Sequence, residues 1–220
     1  MNSPRFMPAL GALCLVVFCA FYLWQTPGLA GGRLRPEEID RYLAAADRQL
    51  AMPAQEKAGA LQRLRTWAAA DDGKPFYMLN LMRYYQELRR FPGAPDYAGT
   101  PRQSNAYYES AAERLLLKSG SYPLMGGTAA GRDILDTPPE LDNWDRVLVV
   151  RYRSRRAFLE LLSDPAYGPI EPYKLMALQV LLVPVSAELV IPELRWLAGG
   201  ALLVLFLATG WLRAARRRAT

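Results

Sequence analysis

The stretch Lys74 to Tyr85, KPFYMLNLMRYY, decides how this chain folds. Past Gly73 the apolar pattern changes from a helical period to a period of two. That places Phe76, Met78, Asn80, Met82 and Tyr84 on one face of a strand, and Tyr77, Leu79, Leu81 and Arg83 on the other. Both faces are mostly apolar, so both need a cover. An asparagine sits in the middle of one of them.

Downstream, the loop RRFPGAPDYAGTPRQ leads into a helix, SNAYYESAAERLLLKSG, which Gly120 ends. YPLMGGTAAGRDIL predicts a weaker strand bent at Gly126 and Gly127, and DRVLVVRY a strong one. SRRAFLELLSD is a helix capped by Ser154. A turn at DPAYGP, a short helical EPYKLM and a final strand in ALQVLLVPVSAEL follow. The order strand, helix, strand, strand, helix, strand defines an α+β domain of ferredoxin-like βαββαβ type over residues 73–189. Two helices cover one face of such a sheet. The preferred cover for the other face is the same sheet of a second copy, packed across a two-fold axis. The competing cover is a helical lead-in upstream.

That lead-in spans residues 33–72. RPEEIDRYLAAADRQL opens on Pro36 and two acids, with Ile39, Leu43 and Ala46 at helical spacing. After Pro53 the period resumes through Ala58, Leu61, Leu64 and Ala68 until DDGKP stops it. The pair can form a hairpin on the domain or on a membrane.

Beyond these parts lie two uncharged apolar runs, which raise the apolar share to 51% of 220 residues. MPALGALCLVVFCAFYLW, within residues 1–30, and WLAGGALLVLFLATGWL, within 190–213, are each about long enough to cross a hydrocarbon core as a helix. Residues 214–220 form a basic tail. Its arginines, with Arg213, put the C-terminus in the cytoplasm; Arg33, Arg35 and Arg41 after the first run, against Arg5 before it, argue the other way. The tail is the stronger determinant, and two spans leave both termini on one side. The expectation is therefore a two-pass protein of the inner (plasma) membrane with its central domain periplasmic or extracellular. TPGLAGG, with small residues at Gly28 and Ala30, also fits a cleaved signal; the retained anchor is preferred because the run is long for a signal core.

The net charge of +6 and pI of about 9.4 owe much to the tail. The other basic cluster, Arg151 to Arg156, reads as a strand-to-helix corner with no stacking platform beside it, so nucleic acid is not an expected partner. Both cysteines, Cys14 and Cys19, lie in the first apolar run, and the chain has no histidine. This excludes a disulfide within the exported domain, a Ser-His-Asp triad, ordinary zinc sites and histidine-ligated haem. No cofactor and no metal are expected.

YMLNLMRY, NAYYESAAERLL, the Gly-Gly strand and above all WDRVLVVRYRSRRAFLELLSDPAY resemble a small, largely uncharacterised family of dimeric α/β-barrel proteins. The resemblance covers about Pro75 to Glu188; the family's usual YPS reads YRS here, and neither apolar run belongs to the family pattern. It implies the fold and a homodimer but no reaction, because the superfamily includes cofactor-free oxygenases, haem enzymes, isomerases and proteins without activity. In a barrel of two facing sheets, Asn80, Tyr84, Trp144 and Arg151 are the ligand-pocket candidates. The plainer reading, which we prefer, makes Asn80 a hydrogen-bonding residue, Trp144 core and Arg151 an ion-pair member. Tyr107 and Tyr108 read as helix packing. The preferred function is a non-catalytic exported domain that binds a small ligand or serves assembly. The alternatives are a cofactor-independent oxygenase or isomerase acting on a lipophilic aromatic or quinone, and an accessory subunit bound to another membrane protein through the span holding Gly199 and Gly200.

Overall fold

The structure, a computed structural model, describes residues 6–27, 32–135, 138, 140–188 and 194–218. Arg5 and the candidate cleavage site at Gly28 and Ala30 lie outside the described residues. The chain divides into two units, 29–187 and the two termini together.

In the larger unit, α2 (Pro36–Gln49) and α3 (Ala54–Ala69) precede β1 (Phe76–Tyr84), with Gly73 at a φ of 73° in the turn between. Then come α4 (Pro101–Lys118), β2 (Tyr122–Thr128), β3 (Arg146–Tyr152), α5 (Arg155–Ser163), α6 (Glu171–Ala177) and β4 (Leu178–Val185). Helix starts follow local chemistry. Thr100 and Gln103 form a reciprocal capping box ahead of α4, and the Ser154 hydroxyl accepts the Ala157 N–H at 3.2 Å ahead of α5.

The sheet is antiparallel throughout, in the order β2-β3-β1-β4. Helices α4, α5 and α6 close one face. There Phe76 and Met78 pair with Tyr152 and Val150, and this row packs against Tyr108, Ala112, Leu116, Phe158 and Leu161. The lead-in helices join the same side. Leu43 and Ala68 pack on Leu159 of α5, and the Trp67 ring meets Phe76 and Phe158 edge-on at 4.9 and 5.6 Å. The lead-in therefore forms an outer layer over α5, so it does not supply the second cover.

The Arg151–Arg156 corner ties that layer down. The Arg156 guanidinium donates to both carboxylate oxygens of Glu38 at 2.6 and 3.2 Å, and Arg155 donates to the Trp67 carbonyl and lies 3.8 Å from Asp71. Hydrogen bonds from Arg156 and the Arg35 backbone hold the Glu38 carboxyl down at about 2.

On the opposite face, Leu79, Leu81, Val147, Val149 and Val183 are half-buried, while Leu181, Val185 and Met125 are 47%, 40% and 56% exposed. The expectation that this face is apolar holds.

The terminal unit is a pair of helices, α1 (Phe6–Gln25) and α7 (Leu194–Arg218). Both are long and apolar enough to cross a membrane, with mean hydropathies of 2.3 and 1.6. They run antiparallel: Gly11 faces Phe206, Gly199 faces Phe18, and the Tyr22 and Trp196 rings meet edge-on at 6.4 Å. A Cβ at Gly199 would sit 2.7 Å from the Phe18 ring, so glycine permits this approach. Helix α7 continues unbroken past residue 213, so the basic segment begins as helix rather than as a separate tail.

Candidate ligand site

Between the sheet and helices α4, α5 and α6 lies a cavity of about 480 Å³. Its walls follow from the element periods. Alternate residues of β1 and β3 supply Met78, Leu148, Val150 and Tyr152, and residues three to four apart on α4 supply Tyr108, Ala112 and Leu116. At the outer edge, Glu109 and Arg146 pair through two hydrogen bonds of 3.0 and 2.8 Å, both side chains about one quarter exposed. The Asn105 amide steadies this rim, donating to Glu109 Oε1 at 2.9 Å and to the Tyr84 hydroxyl at 3.2 Å.

Asn80 lies at the cavity wall, 4% exposed. Its Nδ2 donates to the Met78 carbonyl at 3.0 Å and to the Leu148 carbonyl at 3.1 Å. Two carbonyl partners fix the amide orientation, because a flipped amide would set oxygen against oxygen. Oδ1 is thereby aimed at Lys174, whose Nζ donates to it at 3.1 Å.

Lys174, on α6, is only 8% exposed and also lines the cavity. Its ammonium lies 5.2 Å from the centroid of the Tyr108 ring. Among the described residues no carboxylate comes within ion-pair distance of it: Glu109 is engaged by Arg146, and Glu171 accepts the Ala51 N–H at 3.2 Å. Burial pulls Lys174 down to about 8, against smaller opposing effects of Glu109 and Glu171. Burial likewise pushes Glu171 up to about 7 and Tyr108 up to about 12. The Tyr108 and Tyr167 hydroxyls are 3.3 Å apart, and burial also holds Tyr167 well above its ordinary value.

The sequence candidates do not converge. Asn80 and Tyr84 share the helix-covered face, whereas Arg151 pairs in register with Tyr77 and so points to the other face. Arg151 is fully buried, its guanidinium 5.7 Å from the Tyr122 ring. Trp144 is half-buried just ahead of β3 and is absent from the cavity wall. Its neighbour Asp145 accepts the Tyr84 N–H at 2.8 Å and so pins the strand ends. The cavity is accordingly under the helices, and residue alternation prevents one pocket from using Asn80 and Arg151 together. Tyr108, expected as packing, is a wall residue; Tyr107 is exposed and packs its ring on Tyr173 at 4.5 Å.

Sequence reading missed Lys174 as a site residue. One clue was available: among 27 cationic side chains only Lys57, Lys74, Lys118 and Lys174 are lysines, and the last is flanked by Pro172, Tyr173, Leu175 and Met176 in a short helix that opens on Glu171. Where arginine is the rule, a buried lysine offers an amine that burial can neutralise.

No protein-family model matches the chain, and no curated protein matches it. Among solved structures the chain is similar to RPA0582, a protein of unknown function from Rhodopseudomonas palustris. The identity is 23% and the TM-score 0.49, with 65% of this chain and 98% of that one covered. The methylated form of RPA0582 matches at 22% identity and a TM-score of 0.49, covering 64% and 96%.

Proposed function

We propose that this chain is a membrane-anchored protein whose central domain, of the ferredoxin-like dimeric α/β-barrel type, binds a small lipophilic molecule bearing one polar oxygen. The observation that carries this reading is the cavity with the Lys174–Asn80 pair in its wall. A mostly apolar enclosure with a few oriented polar groups is the usual construction of a small-molecule site. About 480 Å³ accommodates a ligand of one or two aromatic rings. The Lys174 ammonium has one hydrogen-bond partner in the protein, which leaves donors for a ligand oxygen.

Homodimerisation through the open sheet face belongs to the same reading. Its support is the apolar row of β1, β3 and β4, together with the lead-in helices lying on the other side. The arginines at the end of α7 support cytoplasmic termini and an exported domain. The oxygenase or isomerase reading required Asn80, Trp144 and Arg151 around one ligand, and alternation along the strands argues against it. The accessory-subunit reading used the Gly199 region for a partner helix; here Gly199 contacts Phe18 of the same chain.

The test is equilibrium dialysis of 1-naphthol against the full-length protein in mild detergent, with empty micelles as the blank. Saturable binding near one molecule per chain is expected, and Ala112→Trp, which fills the cavity from α4, abolishes it. Binding that does not saturate, or that Ala112→Trp leaves unchanged, sinks the reading.

A further inference from the structure

The binding reading does not say why the polar group in the wall is an amine. We propose that Lys174 captures small lipophilic aldehydes in this cavity as a reversible imine, an inference that rests on the binding reading above.

Three observations carry it. First, Lys174 is nine-tenths buried and lines a cavity large enough for a reactant beside it. Second, it is oriented. Asn80 Oδ1, fixed by the two backbone carbonyls on its own Nδ2, takes one N–H of the lysine at 3.1 Å. In the neutral amine, the lone pair and the second N–H are then free to face the cavity. Third, among the described residues no ion pair holds the ammonium. Glu109 belongs to Arg146 and Glu171 to the Ala51 amide, so deprotonation breaks no salt bridge.

The chemistry balances without a further reagent. The amine lone pair attacks the carbonyl carbon as the C–O π pair moves to oxygen. The proton that the nitrogen loses goes to this oxygen and gives the carbinolamine. Its hydroxyl then takes a second proton and leaves as water as the nitrogen lone pair forms the C=N bond, and loss of the remaining N–H proton returns that proton and leaves the neutral imine. An apolar wall favours the step that releases water. With Lys174 at about 8, roughly a quarter of it is neutral at pH 7.5, about two orders of magnitude more than for an ordinary lysine. The walls restrict the aldehyde: Tyr152, Phe158 and Leu161 suit an aryl or short alkyl group, and the Glu109–Arg146 pair stands at the rim.

The full-length protein in mild detergent is incubated with 1-naphthaldehyde at pH 7.5, reduced with cyanoborohydride, digested and mapped by mass spectrometry. Lys57, Lys74 and Lys118 serve as internal controls. Lys57 bonds to the Asp47 carbonyl, Lys118 pairs with Asp164, and Lys74 is exposed. The expected result is a naphthylmethyl adduct at Lys174 at least roughly tenfold above each of the other three. Lys174→Arg loses that adduct and keeps the others. The wild-type map alone decides the question, so it does not depend on a variant folding. 1-Naphthol dialysis runs in parallel. Labelling at Lys174 no greater than at the other lysines, with 1-naphthol still bound, overturns the imine and leaves the binding site standing. Loss of both overturns the two together.

Discussion

At Asn80 a mid-strand amide is retained because all of its hydrogen-bonding atoms on the cavity side are used. Asn80→Ala strips partners from two backbone carbonyls and from Lys174, and is expected to cost about 1–3 kcal/mol in a denaturant titration. Asn80→Asp separates roles: a carboxylate beside Lys174 raises the lysine's titration above about 8, which an NMR titration of the Nζ signal reads directly. No change between wild type and Asn80→Asp would place the lysine elsewhere. Glu171 gives the pH dependence. Its folded value of about 7 exceeds the ordinary 4.5, so between those values the folded state binds more protons than the unfolded one, and stability falls as pH rises. Lys174 acts oppositely and higher: its folded value lies below 10.5, so its contribution rises with pH between about 8 and 10.5. The groups facing Glu171 are the Ala51 amide, Lys57 and Lys174. Glu171→Gln keeps an acceptor for Ala51 without the charge. It is expected to raise the melting temperature more at pH 7.5 than at pH 5, and an equal change at both would contradict the assignment.

Among elements, the alternation in KPFYMLNLMRYY was enough to read β1 and its two apolar faces, and the punctuation at Pro36, Pro53, Gly120 and Ser154 placed the helices. Local pattern could not say which cover lies on which face. The lead-in docks through Trp67, Leu43 and the Glu38–Arg156 pair, contacts between residues more than 80 positions apart that no local period encodes. The site was half legible for the same reason. Asn80 stood out as polar in an apolar strand, but Lys174 reads as an ordinary helical lysine until α6 is folded under β1. Arg151 looked equally available, yet one step of register sends it to the other face. The open face carries its own expectation. Leu181→Glu places a charge in the middle of its apolar row and is expected to convert a dimer to a monomer by light scattering in detergent, with the thermal transition otherwise preserved. A wild-type protein that is already monomeric would remove the sheet-to-sheet packing.

At the scale of the whole molecule, the pair of long apolar helices and the central domain are separate units with separate requirements. The pair depends on close approach of α1 and α7 at Gly199. Gly199→Leu forces Phe18 aside and is expected to lower the recovery of folded protein from membranes without altering 1-naphthol binding by the molecules recovered. Loss of binding in that variant would couple the two units. The central claim concerns the cavity, and a crystal structure of the protein with 1-naphthol tests it most directly. The account predicts one naphthol under α4, α5 and α6 with its oxygen about 3 Å from Lys174 Nζ. Naphthol found only along the apolar helices or on the open sheet face, with the cavity empty, would contradict it.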